Sequence, residues 1–196
     1  MKRITAILLC LCACFGWGAQ ASESIFTDME PTGYVYEAAA LLHTLGLIQG
    51  YEDQTFRPDH TITRAEMAAV AVRLLSMEDA AKAVAGMEAV FSDVPVSHWA
   101  NGYIAVAKSQ GIIAGHGDGT FDPDGDVTYE QAVKILVSAL GLDLYFRDAP
   151  NAYPTLYLEQ AVKSGITLHT EGTISQPATR GTVAVLTYNA LFAEFD

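Results

Sequence analysis

The chain repeats itself at a fixed offset of 65 positions. GLIQGYEDQTFRPDHTITRAE, starting at Gly46, lies over GIIAGHGDGTFDPDGDVTYEQ, starting at Gly111, without a gap. Gly50 pairs with Gly115, Phe56 with Phe121, Pro58 with Pro123 and Thr63 with Thr128, while upstream Phe26 and Asp28 pair with Phe91 and Asp93. A register kept through loop and helix alike marks a duplicated structural unit, and such units bury their apolar faces mainly against one another. A third, weaker copy follows. Tyr153 to Gly165 keeps the spacing of Tyr34 to Gly46 and of Trp99 to Gly111, and Arg180 follows Thr179 as Arg64 follows Thr63.

Ahead of the repeats, Lys2 and Arg3 precede an apolar run from Ile7 to Cys14, and Ala19-Gln20-Ala21 offers a small-residue cleavage site. Residues 1–21 therefore read as a secretory signal whose apolar run is too short to span a membrane, and no transmembrane segment is expected after its removal. Leu11-Cys12-Ala13-Cys14 offers a lipidation box as the alternative to simple cleavage. All three cysteines lie in this leader, so disulfides, thiolate catalysis and a Cys-ligated metal are excluded from the mature chain. Loss of Lys2 and Arg3 also moves the net charge from −12 to about −14. Nucleic acid is an unfit partner for such a chain, because phosphate binding needs a basic face.

Each unit reads as helix, loop, helix. Tyr34, Ala38, Leu41, Leu42 and Leu45 share a helical face that ends at Gly46, and Trp99, Tyr103, Val106 and Ala107, ending at Gly111, repeat the design. The second helices carry Met67, Val70, Ala71 and Leu74, then Ala132, Ile135, Leu136, Ala139 and Leu140, then Val183, Leu186, Ala190 and Leu191. The expected fold is all-α, with three helix-loop-helix repeats packed around a common axis. The expected divisions are 22–77, a helical connector at 78–90, 91–142 and 143–196. Phe56 and Phe121 are expected as buried plugs in the turns between the helices.

Thr63 with Glu66, and Thr128 with Gln131, form capping boxes in which side chain and backbone satisfy each other. Arg64 has no part in capping, and a cation in the first turn is mildly unfavourable against the helix dipole. Beside the first-turn amides it can meet a carboxylate, as Arg180 can, whereas Tyr129 cannot. A solvated or ion-paired Arg64 is the other reading, and Trp99 fits either a sugar face or the core.

FSDVPVSHWA, GIIAGHGDGTFDPDG and TRAE closely resemble the S-layer homology domain, strongly for two units and loosely for the third. The resemblance implies a pseudo-threefold arrangement of three modules and non-covalent anchoring at the bacterial cell surface. It also implies grooves between modules that take a secondary cell-wall polymer or peptidoglycan-linked glycan bearing pyruvylated amino-sugars. On that reading the ligand-binding positions are Asp28, Gly50, Arg64, Asp93, Trp99, Gly115, Tyr153 and Arg180, with no cofactor, no metal and no catalysis; self-assembly or contact with other surface proteins is a further expectation. Tyr129 in place of Arg, and a third unit lacking the Gly-rich turn, imply fewer than three working grooves, with those near Arg64 and Arg180 the best candidates. A calcium-dependent interaction or array-assembly module is the alternative, because Asp118, Asp122, Asp124 and Asp126 crowd one loop. Counted from Asp122, however, the sixth position is Val127 rather than Gly and the twelfth is Val133 rather than Glu.

Overall fold

The computed structural model describes residues 24–194, so the secretory leader read at 1–21 lies outside the described residues. Seven α-helices are present among them and no extended strand: α1 Tyr34–Thr44, α2 Arg64–Leu74, α3 Glu78–Val84, α4 Asn101–Ser109, α5 Tyr129–Ala139, α6 Thr155–Lys163 and α7 Arg180–Ala190. The all-α expectation holds. The connector is helical only over α3, because Gly86 turns the chain at φ 78° two residues beyond its end.

The first helix of each unit stops for the reason read from its sequence. Gly46, Gly111 and Gly165 take left-handed φ of 71°, 70° and 79°, and the amide of the next residue returns to the helix, as when Leu47 donates to the Leu42 carbonyl (2.8 Å). The second helices start as their sequences demand. The Glu66 amide donates to Thr63 Oγ1 (3.2 Å) and the Thr63 amide to Glu66 Oε2 (2.8 Å); in the next unit the Thr128 amide donates to Gln131 Oε1 (3.1 Å). In the third unit the Thr182 amide donates to Thr179 Oγ1 (3.1 Å).

A ring of three backbone hydrogen bonds defines the pseudo-threefold axis. Val127 donates to Ile62 (3.0 Å), Ala178 to Val127 (2.8 Å) and Ile62 to Ala178 (3.2 Å), three residues at equivalent repeat positions. Isolated β-bridges join the same three segments pairwise. Ile62, Val127 and Ala178 are all buried, so these amides and carbonyls satisfy one another where water cannot.

Helix pairing crosses the boundaries between units. α2 packs on α4, α5 on α6, and α7 on α1, so the second helix of each unit meets the first helix of the next and the last helix closes on the first. This rotates the buried stripe of α1: Tyr36, Ala38, Ala39 and Leu42 are buried, whereas Leu45 is exposed. One continuous core results, with Phe56 and Phe121 buried as expected and packed on Phe26 and Phe91 at 5.0 and 5.2 Å between ring centres.

Candidate functional site

The cyclic arrangement brings the start of each second helix against the turn of a neighbouring unit. The amides of Arg64 and Ala65 donate to the carbonyls of Gly125 and Pro123 (2.9 Å each), and those of Arg180 and Gly181 donate to His60 and Pro58 (2.8 Å each). The expectation that these amides join Arg64 and Arg180 in holding a ligand carboxylate is thereby corrected. They are consumed in joining units, and what remains to act is the side chains.

Arg64 crosses into the turn of the second unit. Its Nε donates to the Phe121 carbonyl (2.6 Å) and its Nη2 to the Ala114 carbonyl (3.2 Å), while the guanidinium carbon sits 4.5 Å from the centre of the Phe121 ring. Two carbonyls and a ring fix the plane of the group and leave three of its five N–H donors uncommitted among the described residues. Arg64 borders an open cavity of about 370 Å³, together with Gly115, His116, Gln131, Lys134 and Tyr153. All three units therefore contribute to it.

The cavity is lined by two cations, Arg64 and Lys134, and by the apolar side chains of Ile112, Ile113 and Ile135. Burial pulls the Arg64 guanidinium below the ordinary arginine range, opposed by the carboxylates of Asp122 and Asp93. Burial likewise pulls Lys134 down, opposed by Asp143, and its Nζ lies 5.7 Å from the Tyr157 ring centre. Two partly desolvated cations beside a tyrosine suit an anionic ligand with an apolar face, such as an acidic sugar.

The residues expected at a ligand do not all meet at one place. Arg64, Gly115 and Tyr153 meet at this cavity. Asp28 and Asp93 brace turns: Asp28 accepts the amides of Phe56 and Arg57 (2.7 Å each), and Asp93 those of Phe121 and Asp122 (2.8 and 2.6 Å). Gly50 and Gly115 lie where a Cβ would press on the Phe26 and Phe91 rings and on the carbonyls of Thr55 and Thr120. Trp99 is 56% exposed beside His98 and Tyr103 and is not among the residues lining the cavity. Arg180 is only 5% exposed and belongs to the equivalent position on the first unit's turn.

Lys134, Gln131 and His116 are the cavity residues that sequence reasoning passed over. A signal existed for Lys134, which stands where the other copies have Ala69 and Val185. In the loop proposed for calcium, Asp118 Oδ1 accepts both the amide and the hydroxyl of Thr120 (2.9 and 2.6 Å). Among the described residues no three His, Cys, Asp or Glu side chains converge to hold a metal, and no helix is long and apolar enough to cross a membrane.

Comparison with known proteins agrees with this architecture. The family model described as S-layer homology domain matches residues 25–68 and 90–133. The chain is 32% identical over 194 residues to a cell surface protein of Thermoanaerobacter kivui, covering 97% of this chain and 24% of that protein. It is 35% identical over 165 residues to the middle cell wall protein of Brevibacillus brevis, covering 84% of this chain and 14% of that protein. It is also 30% identical over 156 residues to the cellulosome-anchoring protein of Acetivibrio thermocellus, covering 74% of this chain and 33% of that protein. The chain thus spans a third or less of the length of these relatives.

Proposed function

Because the chain carries two tandem S-layer homology domains and is a secreted cell-surface module, we propose that it anchors non-covalently to the bacterial wall through the Arg64 cavity. Residues 143–196 complete the module as a divergent third unit, since they supply Tyr153 to the cavity and Ala178 to the axial ring. The ligand is a secondary wall polymer bearing pyruvylated amino-sugars. The carboxylate of the ketal docks on Arg64 and Lys134, and the apolar side of the pyranose lies toward Tyr153 and the isoleucine wall.

The single observation that carries this reading is the placement of Arg64. Its guanidinium is already held by two carbonyls, so it need not lose further side-chain freedom when the anion arrives. The reading includes no catalytic step. The test is co-precipitation of the protein with purified walls before and after removal of pyruvate from their polymer. Retention on the intact walls alone supports the assignment; equal retention on both overturns it.

A further inference from the structure

The contact between one unit's second helix and the next unit's turn recurs three times by the same rotation, yet its chemistry differs at three positions. In each groove the first residue of one unit's second helix faces the third residue of the next unit's second helix. At the Arg64 groove that third residue is Gln131, which is neutral. At the Arg180 position it is Glu66, whose Oε1 lies 3.3 Å from Arg180 Nη1 while its Oε2 caps α2. Arg180 Nε and Nη2 donate to the carbonyls of Phe56 (2.9 Å) and Gln49 (2.8 Å). The rings of Tyr51 and Phe56 lie 4.7 and 5.0 Å from its guanidinium carbon. A cation so enclosed has its charge met internally, and a ligand carboxylate would have to displace Glu66 or share the site with it.

The third groove has no cation at either position. Tyr129 replaces the arginine and is buried, and a Cβ at Gly172 would collide with its ring, so the ring fills the space directly beneath the third unit's turn. Glu130 Oε2 accepts the Ser175 amide (2.9 Å), and Glu171 lines the small cavity of about 240 Å³ that remains beside Tyr129. Both added side chains are acidic. Lys134 too is peculiar to one groove, because Ala69 and Val185 occupy its position elsewhere.

We infer that the chain is univalent: the Arg64 groove alone takes the anionic sugar, Glu66 silences the groove of Arg180, and Tyr129 plugs the third. This rests on the proposed glycan reading and sets its stoichiometry. Glu66 becomes the residue that decides how many grooves work, and it does so without harming its own helix, since Gln131 shows that glutamine accepts the same capping amide.

The experiment is a titration of the full chain with a 4,6-O-pyruvylated N-acetylhexosamine glycoside, followed by calorimetry and by the arginine Nε–H resonances. One site per chain is expected, with the Arg64 resonance shifting, the Arg180 resonance still, and a loss of about 10-fold or more in affinity for Arg64→Ala. Two or three sites, or a shift at Arg180, would overturn univalency while leaving the glycan reading intact. No binding by the wild-type chain, or equal binding of the unpyruvylated sugar, would overturn the glycan reading itself. Glu66→Gln is expected to add a second, weaker site that moves the Arg180 resonance, and a single site in that variant would remove the role given to Glu66.

Discussion

Arg64 and Arg180 hold the same place in the repeat, and a single neighbour separates their chemistry. Gln131 leaves Arg64 with its charge facing an open cavity, whereas Glu66 closes an ion pair with Arg180. Replacing Arg64 by Ala should therefore weaken wall binding by about 1.5 to 3 kcal/mol, as expected for a charge-assisted contact, and should lower the thermal midpoint as well, because its bonds to the Phe121 and Ala114 carbonyls join two units. Thr63→Ala should cost about 1 kcal/mol of stability through the lost cap and leave binding per folded molecule intact; paired melting and wall-binding curves distinguish the two. Lys134 adds a pH signature. Burial lowers its pKa from the ordinary lysine value, so its charge is lost earlier as pH rises, and binding should weaken on the alkaline side below about pH 10.4. Lys134→Met should remove that alkaline limb from a binding-versus-pH profile, and a limb unchanged in the variant would exclude Lys134 as its source. The capping boxes were legible in the sequence because their partners are three residues apart. The bonds of Asp28 and Asp93 were not, since the amides they accept lie 28 and 29 residues along the chain.

At the scale of elements, the turns are held by carboxylates and the helices by neighbours from other units. Desolvation acts to raise the Asp93 carboxyl, but the amides of Asp122 and Phe121 outweigh it and hold the group below the usual aspartate range. A carboxyl with a folded value below its unfolded one stabilises the fold above the unfolded value and loses that contribution as pH falls through the folded value. The second unit's turn should accordingly loosen below about pH 4, and Asp93→Asn should flatten the acid side of a thermal-midpoint profile. An unchanged acid side would show that the ionisation of Asp93 contributes nothing to stability. The helices themselves and their glycine stops were readable from periodicity. Their partners were not, because periodicity marks which face of a helix is apolar and not which helix covers it; the bonds that join units, such as those among Ile62, Val127 and Ala178, link residues far apart in sequence.

The molecule as a whole is a closed cycle, with α7 packed on α1 and Tyr34 Oη donating to Asn189 Oδ1 (2.9 Å) across 155 positions of sequence. Removing 143–196 would strip α1 and α5 of their partners α7 and α6, so that deletion should unfold the remainder rather than leave two independent units. A cooperative melt of the 22–142 fragment near the midpoint of the full chain would show that the units are separable. The net charge of −12 repels an anionic polymer at long range. Screening over about 8 Å at physiological salt leaves contact at the Arg64 cavity to decide binding, so retention should persist as salt rises. The most direct measurement of the central claim is cosedimentation of the chain, in EDTA, with purified walls that carry their secondary polymer and with walls stripped of it. Sedimentation with the polymer-bearing walls alone, surviving the chelator, is the predicted result; equal sedimentation with stripped walls, or release by EDTA, would contradict it.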